Sequence, residues 1–176
     1  MFKFLEALKE KNWKTFYKQA LIIFAFGAVY LWFWKAIAYS LFVPSSSMEP
    51  TMKPGDVWYS SRLDIDEFER FDIVCFEKND MYLTKRIIGL PGEKVRVSNG
   101  SVYINGKKIK EDFIKEPMDI QGDGEWKVPK DSYFMMGDNR NDSYDSRFWD
   151  NPFVKKNTIY AKVKFLFVPF WRIPAQ

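Results

Sequence analysis

One stretch limits this chain more than any other: Ala20 to Trp34 is uncharged and apolar throughout, and after Lys35 a second apolar piece runs from Ala36 to Val43. Such a run has either to be buried in protein or to sit in lipid. Fifteen helical residues at 1.5 Å rise cover only about 22 Å of a ~30 Å hydrocarbon core. Letting Lys35 snorkel its ammonium to the interface lengthens the span, so the expected transmembrane helix covers residues 20 to 40. Lys3, Lys9, Lys11, Lys14 and Lys18 flank its N-terminal side. The positive-inside rule then places residues 1 to 19 in the cytoplasm and residues 41 to 176 on the opposite face, as a single-pass protein. Residues 1 to 19 also carry Phe2, Phe4, Leu5, Leu8, Trp13 and Phe16 at helical spacing, which describes an amphipathic segment lying along the membrane surface. A cleavable signal peptide ending in Ala36-Ile37-Ala38 is the competing reading. The long basic start and Lys35, four positions before that cut, weigh against it.

The 176 residues suffice for one soluble domain plus an anchor. Cys75 is the sole cysteine and histidine is missing, so an internal disulfide is impossible and a familiar zinc site is not expected. The net charge of +4 comes from scattered lysines without a basic, aromatic-interleaved stripe, which speaks for anionic lipid rather than nucleic acid.

From Val57 onward the pattern is extended. Residues 57–61, 73–77, 81–88, 94–98, 101–104, 133–137 and 159–168 are short runs rich in β-branched and aromatic residues. Asn99-Gly100 and Asn105-Gly106 read as two-residue hairpin turns, and Pro91-Gly92 as a further turn. Residues 111 to 130 lack periodicity and read as a long surface excursion. Phe165 to Pro174 is too short for a second span and reads as core strand. The expected class is therefore mainly β: a coiled antiparallel sheet or small β-barrel over residues 41–176, preceded by one transmembrane α-helix.

Directly after the apolar run stands Pro44-Ser45-Ser46-Ser47-Met48-Glu49-Pro50-Thr51. A serine hydroxyl is a weak nucleophile without a base, and with no histidine the next candidate base is lysine. An unperturbed lysine, pKa ~10.4, is neutral in only about one molecule in 2,500 at pH 7, so a site using one has to lower that value by roughly 3 units. Lys85, between Leu83 and Ile87-Ile88, has the apolar setting for it; Arg86 does not deprotonate and is no alternative.

The octapeptide, followed by Lys85-Arg86-x-x-Gly-x-Pro-Gly92 and by Gly137-Asp-Asn-Arg-x-x-Ser-x-Asp-Ser-Arg147, resembles the three signature boxes of type I signal peptidases, in the family's order. These are membrane-bound Ser-Lys proteases of the bacterial cytoplasmic membrane that remove signal peptides. The resemblance implies Ser47 as nucleophile, Lys85 as general base, Ser45 with the Ser47 backbone N–H as oxyanion hole, and Ser143 as the residue orienting the lysine. It implies that Leu41, Val43, Pro44, Met48, Leu83 and Thr84 line the pockets for P1 and P3, the first and third residues before the cut, giving Ala-x-Ala-type sites. Asp138, Arg140, Asp145 and Arg147 would hold the third box by ion pairs. Its substrates would be the signal peptides of exported preproteins, and the enzyme would act as a monomer without cofactor or metal; the acidic run 138–142 lacks the glycine and ligand spacing of a calcium loop. This chain departs from the family at Ser46, where glycine is frequent, at Leu83-Thr84, where bulkier residues often precede the lysine, and at Glu93, where aspartate is common. Two other readings remain open on sequence: a Ser-Lys peptidase with a dedicated partner substrate, and a non-catalytic anchored β domain that binds exported peptides.

Overall fold

The computed structural model describes residues 13–63 and 65–169, and of these the side chains of residues 33–36 and 38 are left out. The expected surface segment over residues 1–12, the Lys35 side chain and the tail from residue 170 lie outside the described set. The chain divides into two compact units, Met1–Ala38 and Tyr39–Gln176.

The first unit holds helix α1 (Trp13–Ile37). Its stretch Trp13–Trp32, with mean hydropathy 1.3, is long and apolar enough to cross a membrane. Leu21, Phe24, Phe26, Leu31 and Trp32 all stand exposed, so the helix is apolar around its circumference, as a lipid-facing helix is. It starts earlier than residue 20 because residues 13–19 continue the helix without a breaker, and it stops at Ile37. Residues 38–40, expected in the span, instead open a strand, β1 (Ala38–Phe42).

The second unit is built of antiparallel strands: β2 (Val57–Ser61), β3 (Ile73–Lys78), β4 (Met81–Gly89), β5 (Lys94–Ser98), β6 (Ser101–Ile104), β7 (Lys107–Lys108), β8 (Gly124–Lys127), β9 (Ser132–Met136), β10 (Phe153–Lys155) and β11 (Ile159–Val168). One seven-stranded sheet has the order β1-β2-β11-β3-β4-β9-β10, and a four-stranded sheet the order β7-β6-β5-β8. The mainly antiparallel β class expected from sequence is what forms. Asn99 and Gly100, with φ of 49° and 69°, and Asn105 and Gly106, with 50° and 85°, make the two hairpin turns, since both central positions of a I′ turn need positive φ.

Three apolar clusters fill the unit. Phe76, Ile87, Met135 and Trp149 belong to one, Val95, Val102, Phe134 and Met136 to the second, and Leu41, Val43, Met48, Met52, Trp58 and Cys75 to the third. The third forms from the residues around the octapeptide, which explains why β1 exists: alternation buries Leu41 and Val43 while Ser40 and Phe42 face out.

Two expectations hold only in part. Residues 111–130 run mostly over the surface as expected, but they are not without structure: β8 joins the small sheet, Met118 and Val128 are buried, and Glu111 pairs with a buried arginine. The segment had no periodicity because its contacts are with several partners in turn. Residues 165–168 are strand as expected, but not core: Phe165 and Phe167 are more than half exposed, because alternation turns them outward while Leu166 between them packs against the third cluster.

Candidate active site

The register of β4 builds the site. Its first six residues, Met81–Arg86, pair with β3, Val74 opposite Lys85 and Ile73 opposite Arg86. Its other edge is taken by β9 only from Arg86 onward, opposite Met136. Lys85 is thus the last residue of the open stretch before β9 covers that edge, and the chain leaves β9 at Gly137. The third box follows, containing a short 3-10 turn, Arg140–Asp142.

A cleft of about 420 Å³ gathers Leu41, Val43, Pro44, Ser45, Ser47, Met48, Leu83, Thr84 and Lys85. Every catalytic, oxyanion and pocket residue expected from the sequence lines it except Ser143, which is buried behind. The sequence reading missed Tyr39, Met81, Tyr82, Tyr144, Trp149 and Tyr160, which also line it; aromatic residues scattered over five segments carry no local signal of a shared groove. A larger hollow, about 620 Å³, lies among Ile65, Lys130, Lys155 and Asn157. Of its three lysines, Lys130 and Lys155 are exposed and Lys156 is only half-buried, so no amine there is stripped of water as Lys85 is.

Lys85 is 4% exposed. Burial, which disfavours the ammonium, pushes its pKa from 10.5 down to about 8, and Arg147 adds to the depression against the opposing pull of Asp145, Asp138 and Asp142. Two of those carboxylates are committed elsewhere. Asp145 accepts from Arg147 Nε at 2.8 Å and from the Gly137 N–H at 3.0 Å. Asp138 takes a two-point contact from Arg86, Nε at 2.7 Å and Nη2 at 2.5 Å. Among the described residues the Lys85 ammonium has no ion pair, and that is why desolvation wins.

The segment carrying the expected nucleophile is held by the third box. The Asn139 N–H donates to the Ser47 carbonyl at 3.1 Å and the Asn139 amide to the Ser46 carbonyl at 3.2 Å. Thr51 donates to Asp138 at 2.6 Å, so one carboxylate ties together the first box, the second through Arg86, and the third. The Ser46 hydroxyl donates to Asp142 at 2.5 Å, which gives the departure from glycine a structural use. Ser47 is half-buried, and its Oγ lies 3.4 Å from that of Ser45.

Among the described residues the buried Ser143 hydroxyl has no hydrogen-bond partner. A methyl group on Gly137 would collide with both that hydroxyl and the Ser47 carbonyl, so the two crowd the same face of one glycine. Glycine is required at 137 by this close approach.

Each of the four residues expected to hold the third box by ion pairs is in one, and Asp145 and Arg147 pair with each other. Asp138 reaches out to Arg86, and Arg140 to Glu111 at 2.6 Å, both across the fold. Arg140 is 2% exposed, and two cations as long as arginine find their carboxylates more easily on neighbouring elements than within one tight loop. Glu93, a departure at a turn, proves engaged: it accepts from Arg70 at both oxygens and from the Leu90 N–H at 2.8 Å.

The family model for signal peptidase, peptidase S26, matches residues 13–170. A protein described as probable signal peptidase I-2 from Synechocystis sp. is 40% identical over 148 residues, 78% of this chain and 65% of that one. Signal peptidase I of Bacillus caldolyticus is 38% identical over 150 residues, 76% of this chain and 81% of that one. The match to the first of these thus spans slightly under two thirds of the relative's length. The crystal structure of a signal peptidase I from Enterococcus faecalis V583 is 33% identical, covering 56% of this chain and 97% of that one with a TM-score of 0.48. With a family match reaching from the helix to the last described strand, the chain belongs to the signal peptidase family, peptidase S26, a family of serine peptidases.

Proposed function

We propose that this chain is a membrane-anchored serine endopeptidase that removes N-terminal signal peptides from exported preproteins, with Ser47 as nucleophile and Lys85 as general base. The observation that carries this is a lysine stripped of water and left without an ion pair, sharing one cleft with a serine whose backbone is clamped by three hydrogen-bonded boxes. A pKa of about 8 leaves about one Lys85 in ten neutral at pH 7, some 200 times more than an unperturbed lysine offers.

Neutral Lys85 Nζ takes the proton from Ser47 Oγ as that oxygen adds to the scissile carbonyl. The oxyanion is met by the Ser47 N–H and the Ser45 hydroxyl, donors worth about 3 kcal/mol each where fixed in place. Lys85 returns the proton to the departing amine. The cleaved signal peptide remains as an ester on Ser47 until Lys85 deprotonates a water to hydrolyse it. The Ser143 hydroxyl, unpartnered among the described residues, orients the Lys85 amine by taking up a hydrogen bond to it in the working site.

The substrate lies extended. β1 is the edge of its sheet, and Met81–Lys85 pairs only through β3, so two open strand edges border the cleft and each offers main-chain hydrogen bonds to a peptide. Leu41, Val43 and Met48 close its floor, with Pro44, Leu83 and Thr84 on the walls, which suits small P1 and P3 side chains. Helix α1 supplies the anchor, with the lysine-rich N-terminus in the cytoplasm, the β unit beyond the membrane, and a monomer sufficient for the chemistry. Replacing Ser47 by Ala abolishes preprotein cleavage in detergent while the fold persists; retained cleavage by S47A refutes the assignment.

A further inference from the structure

We propose that Tyr39, Tyr82 and Tyr160 form a subsite for P5, the fifth residue before the cut, selective for a large apolar or aromatic side chain. This rests on the peptidase reading above and extends it beyond the P1 and P3 pockets. Along β1 and into Val43 the side chains alternate: Val43 and Leu41 are buried, Tyr39 is half-buried on the same side, and Ser40 and Phe42 are exposed, Phe42 at the rim of the cleft. A peptide extended along that edge has the same period of two, about 6.6 Å for each pair of residues. With P1 at Val43 and Met48 and P3 at Leu41, the side chain that reaches Tyr39 is that of P5.

Three strands bring their rings together there. Tyr39 meets Tyr160 edge to face at 5.3 Å between centroids, and Tyr160 meets Tyr82 edge to face at 5.7 Å. All three line the cleft. Set edge to face in this way, the three rings present ring edge and face to a ligand. Tyr82 is 71% exposed, an aromatic surface at the mouth of a groove that a bound side chain would cover. Arg62 already sits over the Tyr39 ring at 5.4 Å, and its charge disfavours a basic P5. Signal peptides present suitable chemistry at this point, because their apolar segment ends only a few residues before the cleavage site.

The test uses the full chain in detergent micelles and fluorogenic peptides with Ala-x-Ala at P3–P1 and Ala, Phe or Lys at P5. The expected ratio of kcat/KM for Phe over Ala is about tenfold, from ring contact plus area buried, with Lys cleaved no better than Ala. Tyr82→Ala and Tyr160→Ala each bring the ratio to about one or two, whereas Tyr160→Phe, which keeps the ring, holds it near ten. A ratio within one enzyme is insensitive to partial misfolding or general loss of rate. A flat P5 profile in the wild type, or a tenfold ratio surviving in both alanine variants, overturns the subsite. Wild-type enzyme that cleaves none of the peptides overturns the peptidase reading beneath it.

Discussion

Replacing Lys85 by Met separates catalysis from stability in a way that checks the central physical claim. The side chain stays similar in length and loses its charge, so cleavage is abolished. Stability moves the other way. In the folded protein the Lys85 pKa is about 8 against 10.5 when solvated, so the ammonium is disfavoured by about 2.5 units, or about 3 kcal/mol. The unfolded chain therefore binds more protons between pH 8 and 10.5, and wild-type stability gains this contribution as pH rises through that window. Below pH 8 the wild type carries the full penalty, and above 10.5 the lysine is neutral in both states and carries none. Met has no such term at any pH, and Asp145 and Asp138 keep their arginines in the variant. Urea unfolding in mild detergent, followed by the fluorescence of buried Trp58 and Trp149, reads the difference. At pH 6.5 the variant should be more stable by about 3 kcal/mol, a midpoint shift of roughly 1–3 M for m values of about 1–3 kcal/mol/M. Towards pH 10.5 the gap should close. A gap independent of pH, or a variant less stable than wild type at pH 6.5, would show that Lys85 is not held desolvated and would remove the reason it acts as a base.

Other outcomes follow from the same geometry. The kcat/KM of the wild type should rise with pH along a limb with its midpoint about 8, set by the lysine losing its proton, and a limb near 10.5 would contradict the burial. Gly137→Ala drives a methyl group into the Ser47 carbonyl and the Ser143 hydroxyl, and the resulting displacement of the nucleophile should lower kcat by about 100-fold; unaltered kcat would refute the tight approach. Ser143→Ala should lower kcat by about 10- to 100-fold with KM little changed, measured on a single fluorogenic peptide, since only the orientation of the amine is lost. Glu111→Ala leaves the Arg140 guanidinium buried and unpaired, for a loss of about 3–5 kcal/mol in thermal or denaturant unfolding. A loss under 1 kcal/mol would mean that water reaches Arg140.

What the chain determined by itself is what depends on near neighbours in sequence. The apolar run from Ala20 makes a helix, alternation makes β2, β5, β6 and β11, and Asn-Gly pairs make the hairpins, because periodicity and turn chemistry act over a few residues. The candidate nucleophile and base were legible because three short boxes preserve residue types at fixed spacing, and the absence of histidine narrowed the base to lysine. Tertiary structure decided the rest. No local pattern shows that Arg86, Thr51 and Asp138 meet, that Arg140 reaches back to Glu111, or that residues 38–42 abandon the helix for a strand edge. The groove wall of Tyr39, Tyr82 and Tyr160 joins three strands far apart in the chain. The depressed pKa of Lys85 likewise belongs to no segment, since desolvation is a property of everything packed around an amine, and that packing exists only once β3, β4 and the third box have closed on it.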